Sequence, residues 1–293
     1  MGRKYRNLIV VLIFLFSSAL NGQEYKSLLS QLDTSRMEVP VSAFKSSRLV
    51  LGQSTVQLSK GELQFRVSHL FGRISEGIDE LYGLDVMQNV DISFEYGITD
   101  KLQIGLARSN DFDKTLQGSS KYSFVKQSNL TNRPVSISYF GALYVKTRNY
   151  NEKLSFMDRT EFVNQLLISR QFSEKFSAQI APSYVYLTKP ATNNHPQSLF
   201  ASNFGISMGL TKSTNFNIEY VYTFPTFNND LYSMSKNALS FGFDIETGGH
   251  VFQVFITNST RVQPGRFIQQ YNNDDFFNGD VHIGFSIMRS FNL

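Results

Sequence analysis

The chain has 293 residues, enough for one large domain, with 28 Lys+Arg against 24 Asp+Glu and no cysteine. Without cysteine there are no disulfides, no thiolate metal sites and no lipid-modified N-terminal Cys. Three of the basic residues, Arg3, Lys4 and Arg6, precede an apolar run, and setting them aside leaves 25 basic against 24 acidic residues, a balance that gives no reason to expect a nucleic-acid partner.

The run Leu8 to Phe16 behind that basic patch, followed by Ser17-Ser18-Ala19-Leu20-Asn21-Gly22, has the layout of a secretory signal peptide over residues 1–22. No later apolar run reaches the 18 or so residues that a membrane-crossing helix needs. Residues 23–60 are expected to form a periplasmic or lumen-plugging segment. Within it, Tyr25, Leu28, Leu29 and Leu32 fall at helical spacing, which predicts one or two helical turns before Pro40. The β-prone stretch Arg48 to Val56 is free to add strands or to fold into a barrel mouth.

From Gly61 the pattern changes to a period of two, the mark of strands. Twelve such segments are predicted: 61–72, 87–98, 101–111, 116–127, 133–147, 159–172, 176–188, 199–211, 214–225, 237–247, 250–259 and 279–291. An even number of strands, each close to the 9 to 11 residues or so that cross a bilayer at a tilt, points to an all-β, transmembrane, antiparallel up-and-down barrel over residues 61–293. Short turns such as Thr99-Asp100 and Gly248-Gly249 alternate with longer polar loops, as in outer-membrane barrels.

The two faces are chemically distinct. Leu63, Phe65, Val67, Ile92, Phe94, Tyr220, Tyr222, Phe241, Phe243, Val254 and Ile256 share the outward register, while their neighbours are polar. Charged residues on the inward register are the lumen candidates: Arg66, Asp91, Glu95, Lys121, Lys146, Glu219, Asp244 and Glu246, with His282 on the last strand. In a closed lumen these pair with one another; in a wet one the carboxylates favour cations. The outward basic residues Arg108, Lys126, Arg170 and Arg289 all lie near strand ends, where they reach lipid headgroups and avoid the roughly 2–4 kcal/mol cost of a midplane charge.

Several segments resemble a known family. Ser46-Ser-Arg-Leu-Val-Leu-Gly-Gln-Ser54, Gly61-Glu-Leu-Gln-Phe-Arg-Val-Ser-His-Leu-Phe-Gly72, Phe94-Glu-Tyr-Gly-Ile-Thr-Asp100 and Asp244-Ile-Glu-Thr-Gly-Gly-His-Val-Phe-Gln253 are similar to a Bacteroidota outer-membrane β-barrel family of unknown function. The resemblance implies an outer-membrane barrel and transfers no catalytic or ligand residues.

Three chemical motifs each have a plainer explanation. Gly205-Ile-Ser207-Met-Gly209 matches a nucleophile elbow, but that Ser must sit on a sharp strand-to-helix turn, and here it lies inside an alternating strand. The plainer reading is a groove of small residues that leaves room for a loop or the N-terminal segment. His282 shares a face with Asp280 and Ser286, yet at about 3.4 Å per residue Ser286 is out of its hydrogen-bond reach. A membrane-embedded lipid hydrolase is therefore the third-ranked function. Asp274, Asp275, Asn278 and Asp280 form an oxygen-rich loop able to offer ligands to Ca²⁺, although Asn and Asp are ordinary loop residues. No cofactor is implied. The expected partners are outer-membrane lipids, the barrel assembly machinery and a small solute, and the leading expectation is passage or binding of that solute through a plugged or narrow polar lumen. The alternative is a structural or interaction barrel whose loops 148–158, 189–198 and 260–278 meet a partner or the cell exterior.

Overall fold

The computed structural model describes residues 41–190, 196–224, 236–269 and 273–293. The predicted signal peptide and the helical turns at 24–32 lie outside them. Twelve strands run in order: β1 Glu62–Arg73, β2 Met87–Thr99, β3 Leu102–Ser109, β4 Thr115–Val125, β5 Ser136–Lys146, β6 Thr160–Ser173, β7 Phe176–Leu187, β8 Ser198–Gly209, β9 Thr214–Thr223, β10 Leu239–Thr247, β11 His250–Thr257 and β12 His282–Asn292. Each pairs antiparallel with its neighbours in sequence, and β12 closes on β1 through Val67 opposite Ile287 and Ser68 opposite Ser286. Closure leaves no open strand edge, so the backbone polar groups of the wall pair from strand to strand around the barrel, as a lipid environment requires.

The strands match the predicted segments to within a few residues. Tight turns at 100–101, 174–175, 210–213 and 248–249 gather at the end that carries both the start of β1 and the finish of β12, which we term the turn end. The opposite, loop end carries the connections 74–86, 147–159, 188–197, 224–238 and 258–281. Sorting by length has one exception: the β3–β4 connection at the loop end, 110–114, is shorter than the β4–β5 connection at the turn end, 126–135.

The barrel is inside-out relative to a water-solvated protein. Leu106 is 65% exposed and Phe94 and Val254 are each 50% exposed on the outer face, whereas Arg66, Asp91, Glu95, Lys121, Glu219 and Asp244 are buried within. A continuous apolar belt of this extent is stable only where lipid covers it. The interior is not uniformly polar, as the alternation predicted. Phe140, Tyr144, Val163, Leu167, Val185 and Leu199, on β5 to β8, form an apolar sector, joined by Val50 and Leu51 from before β1 and by Val262, Phe267 and Ile268 from the β11–β12 connection. This sector escapes a binary reading because Tyr144 and Phe140 sit in strands whose outward positions are also apolar.

Candidate functional site

Among the described residues, two chain segments occupy the lumen, one from each end. From the turn end, residues 42–58 run inside the wall without joining the sheet as a strand; a single antiparallel bridge, Arg48 to Gln53, folds the segment back on itself. The predicted β propensity of 48–56 is thus spent on a tight hairpin-like loop rather than on extra wall strands, because the wall is already closed. This loop is part of the stretch that carries the family resemblance.

Glu219 on β9 anchors the loop. Its Oε2 accepts the backbone N–H groups of Val50 at 3.1 Å, Leu51 at 2.7 Å and Gly52 at 3.1 Å, and Oε1 accepts Gly52 N–H at 2.9 Å and the Asn203 amide. Consecutive N–H groups converging on one carboxylate make a concave anion nest, here presented by the plug to the wall. A Cβ on residue 52 would overlap Glu219 Oε1, so only glycine allows the approach. Elsewhere the loop is held by Gln253 Nε2 to Leu49 O at 2.7 Å, by Gln179 Nε2 to Gln53 O at 2.7 Å, and by Lys121 Nζ to Val56 O at 2.7 Å. Arg48, fully buried, reaches Glu95 at 3.4 Å. Leu49 seats over Gly205, where an added Cβ would overlap the Leu49 methyl. The G-x-S-x-G run is therefore the small-residue groove that receives the N-terminal segment, and Ser207 Oγ accepts from Asn215 Nδ2 at 3.1 Å within strand β8.

From the loop end, residues 261–269 dip into the lumen with a single turn of helix, α1 Pro264–Phe267, all four residues buried. The structural reading that offered the whole of 260–278 to an external partner is corrected here: Arg266 on this turn is surrounded by carboxylates, at 3.0 Å from Asp113, 3.1 Å from Glu161 and 3.5 Å from Asp111, and cannot leave them without desolvated charge behind it. Gln263 donates to Asp91 at 2.8 Å, and the Gly265 N–H donates to the Tyr144 hydroxyl at 3.3 Å.

The predicted lumen residues fall into these two networks. Arg66 pairs with Asp91 at 3.0 Å, Lys146 pairs with Glu161 at 2.9 Å, and Asp244 accepts from Gln253 at 2.7 Å. Glu246 is inward in register but sits at the turn-end rim, with its side chain 53% exposed and paired to Lys45 at 2.9 Å, so it belongs to the mouth and not to the interior. Beside it, a cavity of about 440 Å³ opens between Ser42–Lys45 and the turns after β6 and β8. His282 lies at the loop end, and both its ring nitrogens face acceptors: Phe71 O at 2.9 Å and Asp274 at 3.0 Å. Its carboxylate neighbour is Asp274 rather than Asp280, which accepts from Ser75 at 3.0 Å, while Ser286 Oγ is 2.7 Å from Ser68 Oγ.

Asp274 also holds Arg73 at 2.7 Å, and Asp275 holds Lys236 at 2.7 Å and caps the turn at Phe277. Of the candidate Ca²⁺ ligands Asp274, Asp275, Asn278 and Asp280, Asp274 and Asp275 thus pair with side-chain cations of this chain, and Asp280 accepts from Ser75. On the outer face, Arg108 donates to Lys114 O at 2.6 Å, Arg170 lies over Phe172 at 5.2 Å, Arg289 lies over Phe291 at 4.9 Å, and Lys126 follows the end of β4. Arg48, Glu161, Asp111 and Arg266 were missed by sequence reasoning. Glu161 shares the inward parity of β6, and Asp111 continues that of β3 within the predicted segment 101–111, so both were available to it; Arg48 and Arg266 lie off the strands, where alternation is silent.

A closed antiparallel wall with an apolar exterior, plugged through its N-terminal segment, coincides with a family match over residues 44–291. The chain belongs to the membrane bound beta barrel domain family DUF5777. The match takes in the plug loop as well as all but the end of β12, so plug and wall form one unit of this membrane-bound barrel. Among solved structures it is similar to a NanC porin, at 9% identity and a TM-score of 0.49, covering 79% of this chain and 100% of that one. It is also similar to the outer membrane channel DcaP of Acinetobacter baumannii, at 8% identity and a TM-score of 0.34, covering 79% and 96%. At such identities neither assigns a role to any residue here. No curated protein matches the chain.

Proposed function

We propose that this barrel resides in the outer membrane and passes or binds a small solute through its lumen, held closed at rest by residues 42–58 and by the β11–β12 connection. The observation that carries the reading is the chemistry of the plug contacts. The segment meets the wall through hydrogen bonds accepted by Glu219 and donated by Gln253, Gln179 and Lys121, each of which water can replace, alongside the apolar seats of Leu49, Val50 and Leu51. The reading includes export through residues 1–22, insertion by the barrel assembly machinery, and headgroup contacts at Arg108, Lys126, Arg170 and Arg289; the Bacteroidota origin rests on the sequence resemblance alone. It assigns no catalytic step.

Closure from both ends favours a second reading, a structural barrel without transport. Planar-bilayer recordings separate the two. The full-length chain carrying Arg48→Ala and Gly52→Val, which loosens the plug, is expected to show discrete conductance steps that the unsubstituted chain shows rarely. A correctly folded variant, verified by heat-modifiable migration, that passes no current leaves the structural barrel as the function.

A further inference from the structure

Among the described residues, the strands turn five buried carboxylates inward, Asp91, Glu95, Glu161, Glu219 and Asp244, against two buried basic residues, Arg66 and Lys121, with Lys146 partly exposed at the end of β5. The wall therefore carries an excess of negative charge. The excess is met by groups that are not part of the wall. Arg48 comes from the N-terminal plug to Glu95; the plug's N–H nest comes to Glu219; Arg266 comes from the opposite end of the barrel to Glu161, Asp111 and Asp113. Two elements far apart in sequence thus do the same thing, each delivering a buried guanidinium to a buried wall carboxylate, Arg48 to Glu95 and Arg266 to Glu161.

We infer that the lumen is a path for cationic solutes, above all those bearing a guanidinium or ammonium group, and that Arg48 and Arg266 are tethered occupants of the sites such a solute uses. A solute cation that takes their place satisfies the same carboxylates, so the wall is never left with uncompensated buried charge. An anion entering as the plug loosens meets the carboxylates unneutralised and is repelled. The inference rests on the passage reading above and adds the solute class to it.

The test uses full-length protein in planar bilayers under a salt gradient, with Arg48→Ala plus Gly52→Val loosening one end and Arg266→Ala the other. The expected result is a reversal potential of cation-selective sign in both, shifting toward zero when Glu161→Gln and Glu95→Gln are added, and a current blocked by guanidinium or arginine amide more than by an equal concentration of sodium. Current that is unselective or anion-selective overturns the inference and leaves passage standing. Absence of current in folded protein from both variants overturns passage, and the inference with it. Should Arg266→Ala prevent folding, Arg266→Gln, which keeps the hydrogen-bonding capacity and drops the charge, gives the same readout.

Discussion

The carboxylate of Glu219 and the backbone of Gly52 are in mutual contact, with Oε1 accepting the Gly52 N–H at 2.9 Å and no space for a Cβ between them. The wall grips the plug by its main chain. Hydrogen bonds to a charged acceptor contribute about 1.5–3 kcal/mol each, and much of that is lost when the acceptor becomes a neutral amide. Glu219→Gln is expected to weaken the plug by about 2 kcal/mol, which raises hydrogen exchange at the amides of Val50, Leu51 and Gly52 roughly thirtyfold while the strand amides stay protected. Equal acceleration across β8 and β9 would mean that the wall, not the plug, had loosened.

Arg266 is the counterpart at the other end. Removing one partner of a buried ion pair costs about 3–5 kcal/mol because the remaining charge stays desolvated. Lys146 still faces Glu161 at 2.9 Å, so Arg266→Ala is expected at the low end of that range, with the loop 261–269 leaving the lumen and becoming cleavable by added protease. Lysine cannot fork across Asp111, Asp113 and Glu161 as a guanidinium does, so Arg266→Lys restores only part of the protection. Full rescue by lysine would show that charge alone, without geometry, holds the loop.

What the sequence made legible follows from which contacts leave a periodic trace. Strand positions and faces were readable because each wall residue must choose between lipid and lumen, and that choice alternates, as at Phe94 and Glu95. For residues 23–60 the sequence left two destinations open, periplasmic or luminal; residues 42–58 lie in the lumen, and 23–40 lie outside the described residues. The seating of 42–58 was not legible, since Glu219 recognises N–H groups that every residue carries, and Gly52 becomes diagnostic only once its neighbour is known. Arg266 was out of reach for a similar reason. A polar loop that folds outward and one that folds into a polar lumen have the same composition.

Leu49 and Gly205 test the groove directly. Gly205→Val fills the space that the Leu49 side chain occupies, and overpacking of this kind typically costs about 1–3 kcal/mol. Leu49→Ala alone loses packing, but in the double variant the smaller side chain makes room for the larger one. A double-mutant cycle on plug opening, read by exchange at Leu51, is therefore expected to give a favourable coupling of about 1 kcal/mol or more. Strict additivity of the two changes would show that Leu49 does not rest on Gly205 in the membrane.

Leu106 on β3 lies 65% exposed in the middle of its strand, opposite Phe94 of β2. Lipid contact there means that Leu106→Arg costs about 2–4 kcal/mol in reversible folding into bilayers, whereas an arginine at the strand end, as Arg108 already is, costs about 0–1 kcal/mol. A Leu106→Arg barrel as stable as the parent would place this face away from the acyl chains.

The loop-end anchor formed by Asp274, His282 and Arg73 sets a pH window. Burial pushes the Asp274 carboxyl up, but hydrogen bonds from His282 and Arg73, with the charge of Arg73 behind them, hold it below the ordinary carboxylate value. A carboxyl depressed on folding contributes stability that is fully present above its unfolded value, about 3.9, and is lost as pH falls through its lower folded value. Protection of the amides from Asp274 to Val281, corrected for intrinsic exchange, should therefore hold from pH 7 down to about 4 and fall only below that. Asp274→Asn removes the charge at every pH, so its protection should start lower and show no acid transition of this origin. Loss of protection between pH 7 and 5 in the parent chain, absent from Asp274→Asn, would contradict a depressed Asp274.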